Sequence, residues 1–146
     1  MKVHPTYRNA TENDIPALFA LDLVAHKDTK RRKLICRAVA SGMCFVARYG
    51  VTHIVAYGVM SCSFFENGFI EMLYVHSDFR RQRIGTALLR HMAKHCPTPK
   101  LFASTNSSNQ PMRLLLEREG FCNSGIIQNL DEGDPELVYF KRRREK

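Results

Sequence analysis

The spacing of apolar and polar positions changes several times along the chain, and each change marks an element. Residues 6–8 form a short extended run. Thr11 then offers a helix cap, and Asp14 three residues on makes a capping box with the shorter acid. Ile15, Leu18, Phe19 and Leu23 follow at helical spacing, which predicts a helix buried on that side. A second helix is predicted over residues 31–40, with Leu34, Ile35 and Ala38 on one side and Ser41-Gly42 as its stop. Residues 43–48 and 52–61 read as strands joined at Gly50. Glu66-Asn67-Gly68 is a second turn signal. Residues 69–75 are apolar on both faces apart from Glu71, the pattern of a central strand covered on both sides.

The second half keeps this rhythm. Ile84, Leu88, Leu89 and Met92 make the apolar stripe of a helix over residues 84–96, stopped by Pro97 and Pro99. Residues 100–105 read as a strand. Residues 109–119 read as a helix with Pro111 in its first turn, where a missing N–H costs nothing. Met112, Leu115 and Leu116 are its apolar stripe, and Gly120 ends it. Residues 121–127 and 137–141 are two last strands joined by a polar loop. The order β-α-α-β-β-β-α-β-α-β-β predicts an α/β (mixed α+β) fold, a mixed and mostly antiparallel sheet flanked by about four helices.

A length of 146 residues suits one domain spanning 1–146. With 45% hydrophobic and 25% charged residues, the composition is that of an ordinary globular chain. No apolar run approaches the roughly 20 residues that span a bilayer, and Met1 to Thr6 lacks the apolar core of a signal peptide. The five cysteines and six histidines are scattered without metal-ligand spacing. These features predict reduced thiols, a cytoplasmic protein, no metal and no membrane contact.

The net charge of +8 is unevenly placed. The basic tail 141–146 holds Lys141, Arg142, Arg143, Arg144 and Lys146 against Glu145, and is read as a solvated, disordered end. Residues 27–37 carry Lys27, Lys30, Arg31, Arg32, Lys33 and Arg37 against Asp28. Such runs permit nucleic-acid contact, but no aromatic residues interleave them, which argues against a nucleic-acid partner. Asp131, Glu132, Asp134 and Glu136 form an acidic stretch, read as a solvated loop or as an attraction for a cationic acceptor.

The chemistry concentrates after residue 75. Arg80-Arg81-Gln82-Arg83-Ile84-Gly85-Thr86-Ala87 joins a strand to an amphipathic helix. A helix start leaves N–H groups without partners and carries partial positive charge, so a phosphate fits there. Gly85 lets the backbone approach an oxyanion, Ala87 is small for the same reason, and three arginines add charge-assisted contacts. The plainer reading is a basic loop ahead of an ordinary helix.

Gln82-x-x-Gly85-x-Ala87 resembles the Gln/Arg-x-x-Gly-x-Gly/Ala signature of the GNAT superfamily of N-acyltransferases. Leu73-Tyr74-Val75 resembles the strand that pairs with the pantetheine arm in that family. Asn106-x-x-Asn109-x-x-Met112 followed by Gly120-Phe121 is similar to the second half of its cofactor site. The order of elements also matches, so the resemblance covers nearly the whole chain. It implies a GNAT-like fold and an enzyme using acetyl-CoA as co-substrate. Adjacent strands would splay near the cofactor arm, with the thioester in the gap. Backbone N–H groups of Gln82, Arg83, Ile84, Gly85, Thr86 and Ala87 would hold the pyrophosphate, with Arg80 and Arg81 adding charge. Leu73, Tyr74 and Val75 would line the pantetheine arm, and the Val75 N–H would polarise the thioester carbonyl. Asn106 and Asn109 would complete the site, though Asn109 serves equally as a helix cap.

Acetyl transfer to an amine needs a base, because an aliphatic amine with a pKa near 10.4 is mostly protonated at neutral pH. Glu71 is the candidate catalytic residue: a buried carboxylate in an apolar strand gains basicity by desolvation. It would equally anchor a cationic substrate or pair with an arginine. Many family members carry a tyrosine four residues before the Gly-Phe pair, and here that position is Leu116. Tyr74, His76 and Tyr139 are the remaining acid candidates; otherwise positioning alone carries the reaction. The expected function is therefore an N-acetyltransferase acting on a small-molecule or protein primary amine by direct attack, as a monomer or homodimer. The alternative is a non-catalytic acyl-CoA-binding regulatory module.

Overall fold

Each strand and helix expected from the apolar pattern forms, in the expected order. The computed structural model describes residues 4–51 and 53–143. The elements are β1 Thr6–Asn9, α1 Ile15–Leu21, α2 Thr29–Ala40, β2 Cys44–Tyr49, β3 His53–Phe64, β4 Asn67–Val75, α3 Ile84–Lys94, β5 Lys100–Asn106, α4 Gln110–Arg118, β6 Cys122–Ile127 and β7 Glu136–Arg142. The seven strands are ordered β1-β2-β3-β4-β5-β7-β6. The pairs β1–β2, β2–β3, β5–β7 and β6–β7 are antiparallel, and β4–β5 is parallel. A parallel pair needs a crossover, and α3 supplies it.

The chain divides into two compact units, Met1–Met60 with Met72–Met92, and Ser61–Glu71 with Ala93–Lys146. The divisions fall inside β3, β4 and the last turn of α3. In the first unit α1 and α2 lay Leu18, Leu21, Ile35, Ala38 and Val39 against Cys44, Val46, Tyr57 and Val59 of β2 and β3. Gly58 lets α3 lie close to β3, because a Cβ there would meet the Met92 sulfur at 2.3 Å and the Met72 carbonyl at 3.3 Å. In the second unit Phe64 stacks on Phe69 at 4.8 Å and meets Phe102 at 5.1 Å, and Phe102 continues to Phe140 at 5.5 Å.

Several boundaries moved for local reasons. Helix α2 starts at Thr29 because the Asp28 carboxylate accepts from Lys30 N–H at 2.8 Å. Helix α1 ends at Leu21, which leaves Leu23 exposed at 69% rather than buried. The β3–β4 turn is Phe65-Glu66, both left-handed at φ 51° and 65°, and not Glu66-Asn67-Gly68. Two left-handed central residues make the turn type that matches strand twist. Asn67 closes it by donating to the Phe65 carbonyl at 3.0 Å. Lys141 and Arg142 belong to β7 rather than to a tail, and residues 144–146 of that expected tail lie outside the described residues, as does Thr52.

Candidate functional site

Strand β4 pairs with β5 only at Gly68↔Leu101, Phe69↔Phe102 and Ile70↔Ala103. Past Ile70 the β5-facing edge of β4 has no strand partner among the described residues, so backbone groups on it are open to a ligand. Glu71 is the first residue after that ladder. Leu73, Tyr74 and Val75 follow, each half-buried. The strand ends where His76 N–H donates to the Val55 carbonyl at 2.9 Å.

The connection to α3 is braced rather than loose. His76 Nδ1 accepts from Asp78 N–H at 3.1 Å, capping a 3-10 turn at Ser77–Phe79. The Phe79 ring lies 5.7 Å from Tyr49, 5.5 Å from His53 and 5.9 Å from His76. Arg80 Nε donates back to the Val75 carbonyl at 3.1 Å, tying the loop to the end of β4. One bond to the Val75 carbonyl is thus internal, and the Val75 N–H is left for a ligand.

The loop then takes an unusual backbone course. Arg81 and Arg83 are left-handed, at φ 64° and 62°. A non-glycine residue costs roughly 1 kcal/mol or more in that region, and such strain collects at ligand sites. Alternating backbone handedness also turns successive N–H groups towards one concavity, a nest for anions. Helix α3 begins directly afterwards, and Ala87 N–H donates to the Arg83 carbonyl at 3.0 Å. That bond withdraws Ala87 from the set of N–H donors expected for the pyrophosphate. Ala87 serves by its small size, while Ile84, Gly85 and Thr86 keep the N–H groups that a helix start leaves unpaired. Arg81, Gln82 and Arg83 are exposed, and among the described residues no carboxylate pairs with Arg80, Arg81 or Arg83.

Glu71 departs from the expectation. It is exposed, so solvent reaches its carboxylate, and the burial on which its basicity rested is missing. Its neighbours in β4 turn their apolar side chains inward, and period two then sends Glu71 outward. Leu116 is fully buried at 0% exposure and serves the core. Tyr139 is buried too, its hydroxyl 3.5 Å from Glu117 Oε1. Asn106 donates to Asp131 Oδ2 at 2.8 Å, and Asn109 Oδ1 accepts from Met112 N–H at 3.3 Å. The amide oxygen of Asn109 is thus a cap, and its Nδ2 keeps its donors. The acidic stretch is likewise engaged: the Asp134 carboxylate accepts from Ser108 N–H at 3.0 Å and from Ser108 Oγ at 2.6 Å.

A polar group with no sequence warning stands behind Tyr74. Asp22 is fully buried and accepts from Arg31 Nη1 at 2.6 Å, from Val24 N–H at 2.9 Å and from the Tyr57 hydroxyl. Burial alone would raise its pKa, but the bonds from Tyr57 and Arg31 outweigh that and hold it below the ordinary range. The same burial and the Asp22 charge push the Tyr57 hydroxyl far up, so it stays a neutral donor. The Tyr57 ring lies 6.0 Å from that of Tyr74. The available signals were an acid closing the stripe of α1 and a tyrosine inside an apolar strand, but their separations fit no motif.

The Acetyltransferase (GNAT) family model matches residues 12–121. The chain belongs to the GNAT acetyltransferase family. A GNAT acetyltransferase from Bacillus cereus is 30% identical over 97% of this chain and 99% of its own, with a TM-score of 0.89. The ribosomal-protein-S18-alanine N-acetyltransferase of Escherichia coli shares the fold at 18% identity, covering 97% of this chain and 96% of its own, with a TM-score of 0.80. A Salmonella typhimurium protein described as an acetyltransferase, solved with its cofactor acetyl-CoA, shares it at 15% identity, covering 98% and 96%, with a TM-score of 0.77. No curated protein matches. As a GNAT member the chain is an acyltransferase, and its mixed α+β architecture is the family's.

Proposed function

We propose that this enzyme moves an acetyl group from acetyl-CoA to a primary amine by direct attack, and that it does so as a single domain. The observation that carries the reading is the start of α3: left-handed Arg81 and Arg83, cations without a carboxylate partner among the described residues, and N–H groups of Ile84, Gly85 and Thr86 ahead of the first helical bond. These groups suit a pyrophosphate, which bridges several donors and neutralises several cations. Gln82 presents a further N–H, and the Thr86 hydroxyl adds a donor. The open edge of β4 supports a pantetheine arm along Leu73, Tyr74 and Val75, with the Val75 N–H directed to the thioester carbonyl. Asn109 Nδ2 is available to the cofactor arm, whereas Asn106 is committed to Asp131.

The amine nitrogen forms the new C–N bond as the C–S bond breaks and the thiolate leaves. Glu71 attracts the cationic amine and relays its first proton through water to solvent, and the nitrogen loses a second proton to water as the amide forms. A thiol has a pKa of about 8.5, so its thiolate leaves without a dedicated acid. This fits the absence of a hydroxyl at Leu116. The acceptor is a small-molecule amine or a protein amine. The five cysteines are all free, which supports a reducing, cytoplasmic setting.

The buried Leu116 and Tyr139 favour one other reading, a module that binds acyl-CoA without turnover. Thiol release during a screen of amines, with product mass spectrometry, separates the two. In the enzyme reading Glu71→Gln lowers kcat at least tenfold and changes acetyl-CoA affinity less than threefold. Unchanged turnover rules Glu71 out.

A further inference from the structure

Helix α2 breaks two local rules at once. Its first turn holds Lys30, Arg31 and Arg32 followed by Lys33, and no acid stands there. Cations at a helix N-terminus oppose the macrodipole, and like charges three or four residues apart repel. Arg31 is explained by Asp22. The others are not. Lys27, Lys30, Lys33 and Arg37 are exposed, and among the described residues no carboxylate pairs with them or with Arg32. Lys30, Lys33 and Arg37 fall at i, i+3 and i+7, so they form one stripe spanning about 10 Å of helix. Asp28, the acid beside them, is committed to capping Lys30 and Arg31 N–H. Charge set against local preference, without internal compensation, marks a surface selected for something outside the chain.

We propose that the exposed stripe of α2 docks the phosphate backbone of a nucleic-acid duplex. The stripe carries charge alone. No aromatic residue lies within 27–40 to stack on a splayed base, which excludes single-strand recognition and leaves backbone contact. No large apolar side chain of α2 is exposed, so the helix has nothing to insert into a bilayer. Exposed Leu23 and Val24 lie in the turn ahead of it, which makes an anionic bilayer the competing partner. Binding would be independent of sequence and sensitive to salt, with a log–log slope near −0.9 for each phosphate contact.

The test uses the full chain and fluorescence anisotropy of a labelled duplex between about 50 and 200 mM salt. The wild type is expected to bind with a slope of roughly −3, one contact for each residue of the stripe. The variant K30E/K33E/R37E is expected to lose at least tenfold in affinity and most of that slope. Its acetyl-CoA binding and melting temperature should hold, since all three side chains are exposed and the acid gained at Lys30 in the first turn offsets the cation lost at Arg37 in the last. The proposal is overturned if the variant binds duplex like the wild type. It is equally overturned if removing the residues after Arg143 abolishes binding while the variant retains it. Capture by phosphatidylserine vesicles but not by duplex also rejects it. Thiol release is read in parallel, so failure of the acyltransfer reading is seen separately.

Discussion

Two of the strand-to-helix junctions among the described residues have opposite fates. Strand β4 runs into α3, and strand β5 runs into α4. The second junction closes on itself: Asn109 caps Met112 N–H, Asp134 takes Ser108, and Asn106 takes Asp131. The first stays open. Arg83, the residue before α3, has no side-chain acceptor to offer. Helices α2 and α4 start under a carboxylate and an amide oxygen, Asp28 and Asn109, while ahead of α1 the Asp14 carboxylate turns back to Thr11 N–H at 2.7 Å and to Arg8. At α3 the chain withholds its own cap and supplies cations instead, the combination that suits an anion.

The largest test of this contrast is Gly85→Asp, which puts a carboxylate at the open start. Acetyl-CoA affinity should fall a hundredfold or more, since charge-assisted bonds worth about 1.5–3 kcal/mol each turn into repulsion. Calorimetric titration reads it, and unchanged affinity removes the phosphate assignment. Next is the turn ahead of α1. The Arg8 guanidinium holds the Asp14 carboxyl down at about 2. The folded state therefore binds protons less readily than the unfolded chain, whose Asp titrates near 4. The stabilisation is complete above pH 4 and drains as pH falls from about 4 towards 2. Asp14→Asn should cost about 2 kcal/mol at neutral pH and flatten that acid limb in denaturant melts.

Arg81→Gly separates strain from binding. It should raise stability by about 1 kcal/mol by relieving the left-handed residue, yet weaken acetyl-CoA binding several-fold. Loss of both stability and affinity would mean that the arginine side chain holds the loop fold. The smallest effect belongs to Asn109→Ala, with about 1 kcal/mol lost from the melt and less than a tenfold change in cofactor affinity. A larger drop in affinity, with stability intact, would make Asn109 chiefly a ligand contact and erase the contrast between the two junctions.

The order of elements was legible because Leu88, Leu89 and Met92 in α3, or Ile35 and Ala38 in α2, follow helical spacing that nothing overrides. The basic loop with Gly85 was legible because Gln82-x-x-Gly85-x-Ala87 stands between Leu73-Tyr74-Val75 and Asn109 with Gly120-Phe121, in the order of the family it resembles. The Phe65-Glu66 turn was not, since neither residue advertises a left-handed backbone. Glu71 was read as buried because its neighbours are apolar. Its own exposure depended on which face of β4 it occupied, and period two fixes that only once the register is known.

Sequence by itself determined the family and the element order and marked the start of α3 as the candidate anion site, because each rests on short local patterns taken in their order along the chain. Tertiary structure alone decided the rest. It ended the β4–β5 ladder at Ile70, spent Ala87 N–H and Val75 O internally, and exposed Glu71. It also buried Asp22 among Arg31 and Tyr57, partners 9 and 35 residues away. Those outcomes follow from which groups meet across long separations, and no local pattern encodes them.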